Sequence, residues 1–129
     1  MGSNTAIDFA ETFEELRIWS DARSQAVEIY RSFGNHSAAA RDFGFRDQIQ
    51  RAAISVMNNI AEGFERRTPA DFSRFLDTSK SSCGEVRSML YLAEDLNYLE
   101  SETAQTMRTF AKNLSRSISA LNKKVRDRM

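Results

Sequence analysis

The sequence predicts an all-α fold, an antiparallel up-down-up-down four-helix bundle, on three observations. One proline and five glycines in 129 residues leave too few turn-formers for many short strands. Apolar residues recur at alternating spacings of three and four, the period of a helix face and not of a strand. Helix-start and helix-stop residues fall between the periodic segments and leave only short connections, which antiparallel neighbours require.

The elements follow in order. Thr12 with Glu15 reads as a capping box that opens a first helix running to about Phe33, where Gly34-Asn35 stops it. Its apolar residues Leu16, Trp19, Ala22, Ala26, Val27, Ile29, Tyr30 and Phe33 cover about 160° of the wheel. That arc is wider than one packing seam needs, which leaves part of it for a subunit or partner contact. The stretch from His36 to Gly44 reads either as a short helical lead-in broken at Gly44 or as a loop. A second helix is expected from about Phe45 to Arg66, with Phe45, Ile49, Ala53, Val56, Met57, Ile60 and Phe64 within about 120°. Thr68 as N-cap, Pro69 at the first helical position and Asp71 open the third. Its seam is Phe72, Leu76, Ser79, Cys83, Val86, Leu90, Ala93 and Asn97. Ser101-Glu102 opens the last helix, which ends near Arg126 and carries Met107, Phe110/Ala111, Leu114, Ile118, Leu121 and Val125 inward. Such seams are those of left-handed helix packing. At ~1.5 Å per residue the helices would be roughly 30–40 Å long. Residues 1–11 are expected to form a flexible N-terminal segment and residues 12–129 a single domain.

Composition narrows the function classes. The chain is 41% hydrophobic and 28% charged, a globular balance. No apolar run approaches the roughly 18 residues of a membrane span. Met1 to Asp8 lacks the basic flank and apolar stretch of a secretory signal. The lone Cys83 excludes an internal disulfide and fits a reducing cytoplasm, and one His with one Cys argues against a zinc site. We expect no metal, no cofactor, no small-molecule substrate and no membrane partner. His36 reads as a solvated turn residue, Cys83 as a small core hydrophobe and Trp19 as a core or interface anchor.

Eighteen Lys+Arg balance eighteen Asp+Glu, yet the charge is unevenly spread. Residues 1–30 hold six acids and two bases, a net −4, and residues 101–129 hold seven bases and two acids, a net +5. The plainer meaning is mutual attraction of the first and last helices; the sharper one is a basic face for an anionic partner. Arg108, Lys112, Arg116, Lys123 and Arg126 lie within about 80° of one another, opposite the apolar seam. Arginine outnumbers lysine 14 to 4, which suits bidentate phosphate contacts and salt bridges equally. No aromatic residue interleaves the stripe, so any contact would follow the RNA or DNA backbone and weaken with salt.

A second stripe lies on the second helix. Gln48, Arg51, Ser55, Asn59, Glu62 and Arg66 fall within about 80°, beside the apolar arc. Ser55 and Asn59 are poor helix formers that a free surface does not call for, and Ala52, Ala53, Ala61 and Gly63 around them are small. Small residues admit a second backbone, and a half-buried polar group then needs a partner. Ser82 and Glu85 of the third helix are the candidates. Arg23, inside the first helix's apolar arc, also calls for a carboxylate. The expectation is a network in which Arg23 and Arg51 share Glu62 and Glu85, inside the bundle or between subunits. No nucleophile, metal or cofactor loop accompanies these carboxylates, so catalysis is not indicated.

The same residues carry a resemblance. The run Asp47-Gln48-Ile49-Gln50-Arg51-Ala52-Ala53-Ile54-Ser55, followed by Asn58-Asn59-Ile60-Ala61-Glu62-Gly63-Phe64-Glu65-Arg66, resembles the string Q-x-x-R-A-x-x-S-I-x-x-N-I-A-E-G. That string marks the bacterial four-helix-bundle family named for 23S rRNA intervening sequences. Arg74-Phe75-Leu76 and Ser82-x-x-Glu85 are similar to its F-L-x-x-A-x-G-S-x-x-E stretch, and Phe13, Leu16, Trp19, Ala22 and Tyr30 to its opening helix. The likeness spans roughly residues 12 to 121. Ser79 and Ser81 stand where the family has Ala and Gly, and Met57-Asn58 replaces a common Pro-Ser pair. The resemblance implies a four-helix bundle, a homopentamer and no enzymatic activity. It also implies kinship with the strongly basic accessory protein of diversity-generating retroelements, which binds nucleic acid and a reverse transcriptase. An isoelectric point of about 6.6 departs from that basic character. Two readings of function remain: a structural or protein-interaction adaptor that self-associates, and a weakly specific nucleic-acid binder acting through the last helix.

Overall fold

The computed structural model describes residues 10–129. The expected flexible segment 1–11 therefore lies, for residues 1–9, outside the described residues. A short 3₁₀ turn at Phe13–Glu15 precedes four helices: α1 Arg17–Ser32, α2 Phe43–Glu65, α3 Pro69–Asp95 and α4 Ser101–Arg126. Each packs on its chain neighbour and α4 closes against α1, giving the up-down bundle. The α2–α3 and α3–α4 contacts are the extensive ones, and α1 rests more lightly on α4.

The start of α1 corrects the expectation of a continuous helix from Thr12. Leu16 is extended (φ −81°, ψ 125°) and separates the 3₁₀ turn from the helix. The reason is packing. Leu16 and Ile18 are both buried, at 1% and 6% exposure. In one unbroken helix they would point about 200° apart. The break lets both enter the core. Neither bond of the capping box is made: Glu15 Oε1 accepts the N–H of Glu11, one residue before the expected cap, at 3.3 Å. The Thr12 hydroxyl meets Glu15 Oε2 at 3.4 Å and caps no backbone N–H. The 16 residues of α1 are thus the shortest helix.

The stretch between α1 and α2 is a loop, and Gly44 does not break anything: it sits inside α2, which starts at Phe43 under an Asp42 cap. Asp42 accepts the Phe45 N–H at 3.2 Å and, through its other oxygen, the Tyr98 hydroxyl at 2.6 Å. Arg46 closes the loop by donating to Phe33 O at 2.8 Å, Ala40 O at 2.8 Å and Asn35 Oδ1 at 3.0 Å. Three carbonyl-type acceptors on one guanidinium satisfy groups that a loop otherwise leaves to water. Thr68 caps α3 as expected, accepting Asp71 N–H at 3.2 Å, with Pro69 in the first turn.

Asn97 does not continue the α3 seam. It takes φ 61° just beyond the helix, and its N–H bonds Glu94 O at 3.0 Å while Tyr98 N–H bonds Ala93 O at 2.8 Å. That pairing is the Schellman closure, and asparagine tolerates the left-handed conformation it needs. The remaining α3 and α4 seam residues are buried except Phe110, which is 40% exposed and leaves its neighbour Ala111 to fill the seam; Phe45, Ile49, Ala53, Val56 and Ile60 of α2 are buried too. They form two clusters end to end along the bundle. One gathers around Leu16, Ile60, Phe72, Leu114 and Ile118. The other gathers around Phe33, Phe45, Ile49, Leu90 and Ala93.

Candidate functional site

Small residues bring α2 and α3 together, and the polar stripe lies along that contact. A Cβ on Gly63 would stand 2.6 Å from Phe75 Cβ and 3.1 Å from the Phe72 ring. Only glycine admits this approach. Ser79, fully buried, donates to Val56 O at 2.7 Å and so ties α3 to α2.

Further along the seam the Ser55 and Ser82 hydroxyls meet at 2.8 Å. The Asn59 amide donates back to Ser55 O at 2.8 Å and Ser55 Oγ at 2.9 Å. Gln48 donates to Glu85 across the same pair of helices. Thus Gln48, Ser55, Asn59, Ser82 and Glu85 are brought together. The two arginines are not brought to the carboxylates within one chain. Arg23 is exposed and stacks over Trp19 at 5.6 Å from the ring centroid. Arg51 is exposed, and Glu62 pairs within its own helix with Arg66 at 3.2 Å. The wheel places Arg23 inside an apolar arc, but α1 turns that part of its arc outward.

Beside Arg23 the α1–α2 face is apolar and open. Val27 and Tyr30 are 42% and 44% exposed. They flank a groove of about 480 Å³ with Ala26, Ile54 and Met57, and Arg23 and Arg31 stand at its edge.

The basic stripe of α4 divides in two. Arg108 pairs with Glu94 at 2.6 Å, lies over the Tyr91 ring at 4.1 Å and keeps only 15% of its side chain exposed. The Ser101 hydroxyl first, and then Arg108, hold the Glu94 carboxyl below its usual range. Arg126 pairs with Asp77 at 2.8 Å and donates to Ser73 Oγ at 3.1 Å. Both arginines therefore tie α4 to α3. Lys112, Arg116 and Lys123 face solvent.

Two buried polar residues, Gln25 and Asn122, were not singled out from the sequence. Gln25 is buried on α1 at 6% exposure, and neither atom of its amide completes a hydrogen bond. The signal was present, because Gln25 sits three residues after Ala22 and four before Ile29, on the apolar arc itself. Asn122, also buried, donates to Asp77 Oδ1 at 2.9 Å beside Arg126. Cys83 donates to Ala111 O at 3.3 Å, and burial pushes its thiol up to about 11. Among the described residues no group of three or more His, Cys, Asp or Glu could hold a metal ion. Among them, too, no helix is long and apolar enough to cross a membrane.

No curated protein matches the chain. The family model of the 23S rRNA-intervening sequence protein matches residues 14–120. That match takes in the 3₁₀ turn's last two residues, the α2–α3 seam with Gly63 at its closest point, and most of α4. This four-helix chain belongs to the 23S rRNA-intervening sequence protein family.

Proposed function

We propose that the protein is a non-enzymatic, self-associating bundle that acts as a structural or protein-interaction adaptor in the cytoplasm. One observation carries this reading: the apolar α1–α2 groove, with Val27 and Tyr30 half exposed on a helix whose opposite side fills the core. A tyrosine and a β-branched aliphatic beside two arginines are the residue types that anchor protein interfaces. The interface joins copies of the chain, and Arg23 and Arg51, unpaired with Glu62 or Glu85 inside one protomer, meet carboxylates across it. The homopentamer implied by the family resemblance is the assembly this reading favours.

Sedimentation of the wild type beside a Val27→Glu/Tyr30→Glu variant tests it. The wild type sediments as an oligomer and the variant as a monomer of unchanged helical content. An oligomer that survives both charges overturns the interface.

Nucleic-acid binding is the second reading, supported by the exposed Lys112, Arg116 and Lys123. It would share the character of the retroelement accessory protein in attenuated form, because Arg108 and Arg126 are engaged with Glu94 and Asp77. Three phosphate contacts per chain give a shallow salt dependence unless an assembly multiplies them.

A further inference from the structure

Two apolar grooves flank α1, and their rims carry opposite charge. On the α2 side, the groove beside Val27 and Tyr30 is lined by two charged residues, Arg23 and Arg31. On the α4 side lies a second groove of about 520 Å³, floored by Ile29, Leu90 and Met107 and walled by the half-exposed Phe110. The charged residues lining this one are Glu28 of α1 and Glu102 of α4. All four charges are exposed, and among the described residues none of them enters an ion pair within the chain.

Contact between copies therefore has a favoured pairing. An α1–α2 groove laid on the same groove of a second copy gathers four guanidinium groups around one apolar patch. An α1–α4 groove laid on itself gathers four carboxylates. Like charges around a contact that is losing water oppose it, whereas the cross pairing sets two arginines against two carboxylates. The apolar parts suit the same arrangement. Each groove has exposed apolar side chains on one of its own walls: Val27 and Tyr30 on α1 beside the first, Phe110 on α4 beside the second. An offset contact seats each set in the other groove, as ridges enter grooves wherever helices pack.

We propose that the α1–α4 groove is the surface on which the α1–α2 face of a second copy docks. Val27 and Tyr30 of one copy enter between α1 and α4 of the next, and Arg23 and Arg31 meet the Glu28 and Glu102 carboxylates there. Phe110 of the next copy turns toward Ile54 and Met57 of the first. This inference rests on the self-association proposed above and adds which two surfaces meet. The contact is heterologous: it joins two different patches, so each copy offers one patch of each kind to two different neighbours. The rim charges select the pairing more than they strengthen it, since exposed ion pairs contribute little singly and mismatched ones repel. Association held this way weakens as salt screens the rims.

Charge reversal in the full-length protein, with mass followed by sedimentation across concentration, tests the pairing. Arg23→Glu/Arg31→Glu and Glu28→Arg/Glu102→Arg each set like charges against like, and each associates about tenfold more weakly or worse. The chain carrying all four changes restores opposite charges across the contact and regains the wild-type mass. An equimolar mixture of the two double variants assembles beyond the mass of either alone. A Glu28→Arg/Glu102→Arg variant that associates like the wild type, or a four-site chain no tighter than the double variants, would overturn the pairing. The wild type supplies a reading that needs no variant to fold: its dissociation constant rises between roughly 0.05 and 0.5 M salt, and a constant unmoved by salt would contradict the charged rims. Failure of this inference is distinct from failure of self-association. An oligomeric wild type that Val27→Glu/Tyr30→Glu dissociates, without rescue in the four-site chain, overturns the pairing and leaves the α1–α2 interface standing; a monomeric wild type overturns both.

Discussion

Gly63 and Asp42 carry the most local explanation in this molecule, for opposite reasons. Gly63 matters for what it lacks. A methyl group there meets the Phe75 and Phe72 side chains at 2.6 and 3.1 Å, so Gly63→Ala must push α3 away from α2. We expect a loss of about 1–3 kcal/mol by denaturant unfolding, despite alanine's better helix propensity. A gain in stability would mean that the helices do not approach this closely. Asp42 matters for what it holds. The Tyr98 hydroxyl, and secondarily the Phe45 N–H, keep its carboxyl below the ordinary 3.8, while the same bond raises Tyr98 above 10.0. The carboxylate's contribution is therefore present above pH 3.8 and lost as pH falls through its lower folded value. The phenol's is present below pH 10.0 and lost as pH rises through its higher folded value. Tyr98→Phe moves the Asp42 pKa back toward the ordinary value in a carboxyl-carbon NMR titration; an unmoved pKa would remove Tyr98 as the cause. Sequence reading found Gly63 as a small residue but had no route to the Asp42–Tyr98 bond. Those residues are joined only by the folding of α3 back over the loop.

Among the elements, α1 differs from the other three. It is the shortest, begins after a break at Leu16, carries an unpaired buried Gln25 and rests lightly on α4. The α2–α3–α4 layer is closed more firmly by Gly63, Ser79, the Ser55–Ser82 pair and the Arg108 and Arg126 ion pairs. Local stability should follow this division. Amide hydrogen exchange is expected to be faster in the middle of α1 than in the seams of α2 and α3, and uniform protection across all four helices would contradict it. The helices themselves were readable from their seams, with α3 and α4 starting where Thr68-Pro69 and Ser101 mark them. The break in α1 was not, because Thr12 and Glu15 are a sound capping signal locally. What overrides it is the joint burial of Leu16 and Ile18, a tertiary demand. Ser82 and Glu85 were legible as partners of the α2 stripe because helical periodicity fixes which faces meet, but the reading gave Glu85 to Arg23 and Arg51, whereas it accepts from Gln48. The fate of Arg23 was not, since the wheel gives its angle and not which way the wide arc of α1 is turned.

On the scale of the whole molecule, a neutral chain hides separated surfaces. The apolar groove edged by Arg23 and Arg31 occupies the α1–α2 side, and Lys112, Arg116 and Lys123 face outward on α4. The excess of base in residues 101–129 is partly spent within the bundle, since the ion pairs of Arg108 and Arg126 run to α3 and not to the acidic first helix. Charge counting along the sequence could not foresee that, because Glu94 and Asp77 lie outside both terminal stretches. The exposed α1–α2 face is what the proposed self-association rests on, and any adaptor role follows from that property. Light scattering coupled to size exclusion, across protein concentration and salt, measures it directly. A mass that is a multiple of 14.7 kDa and persists on dilution is the expected result. A species of 14.7 kDa at every concentration would contradict the account and return the α1–α2 groove to plain solvent-exposed surface.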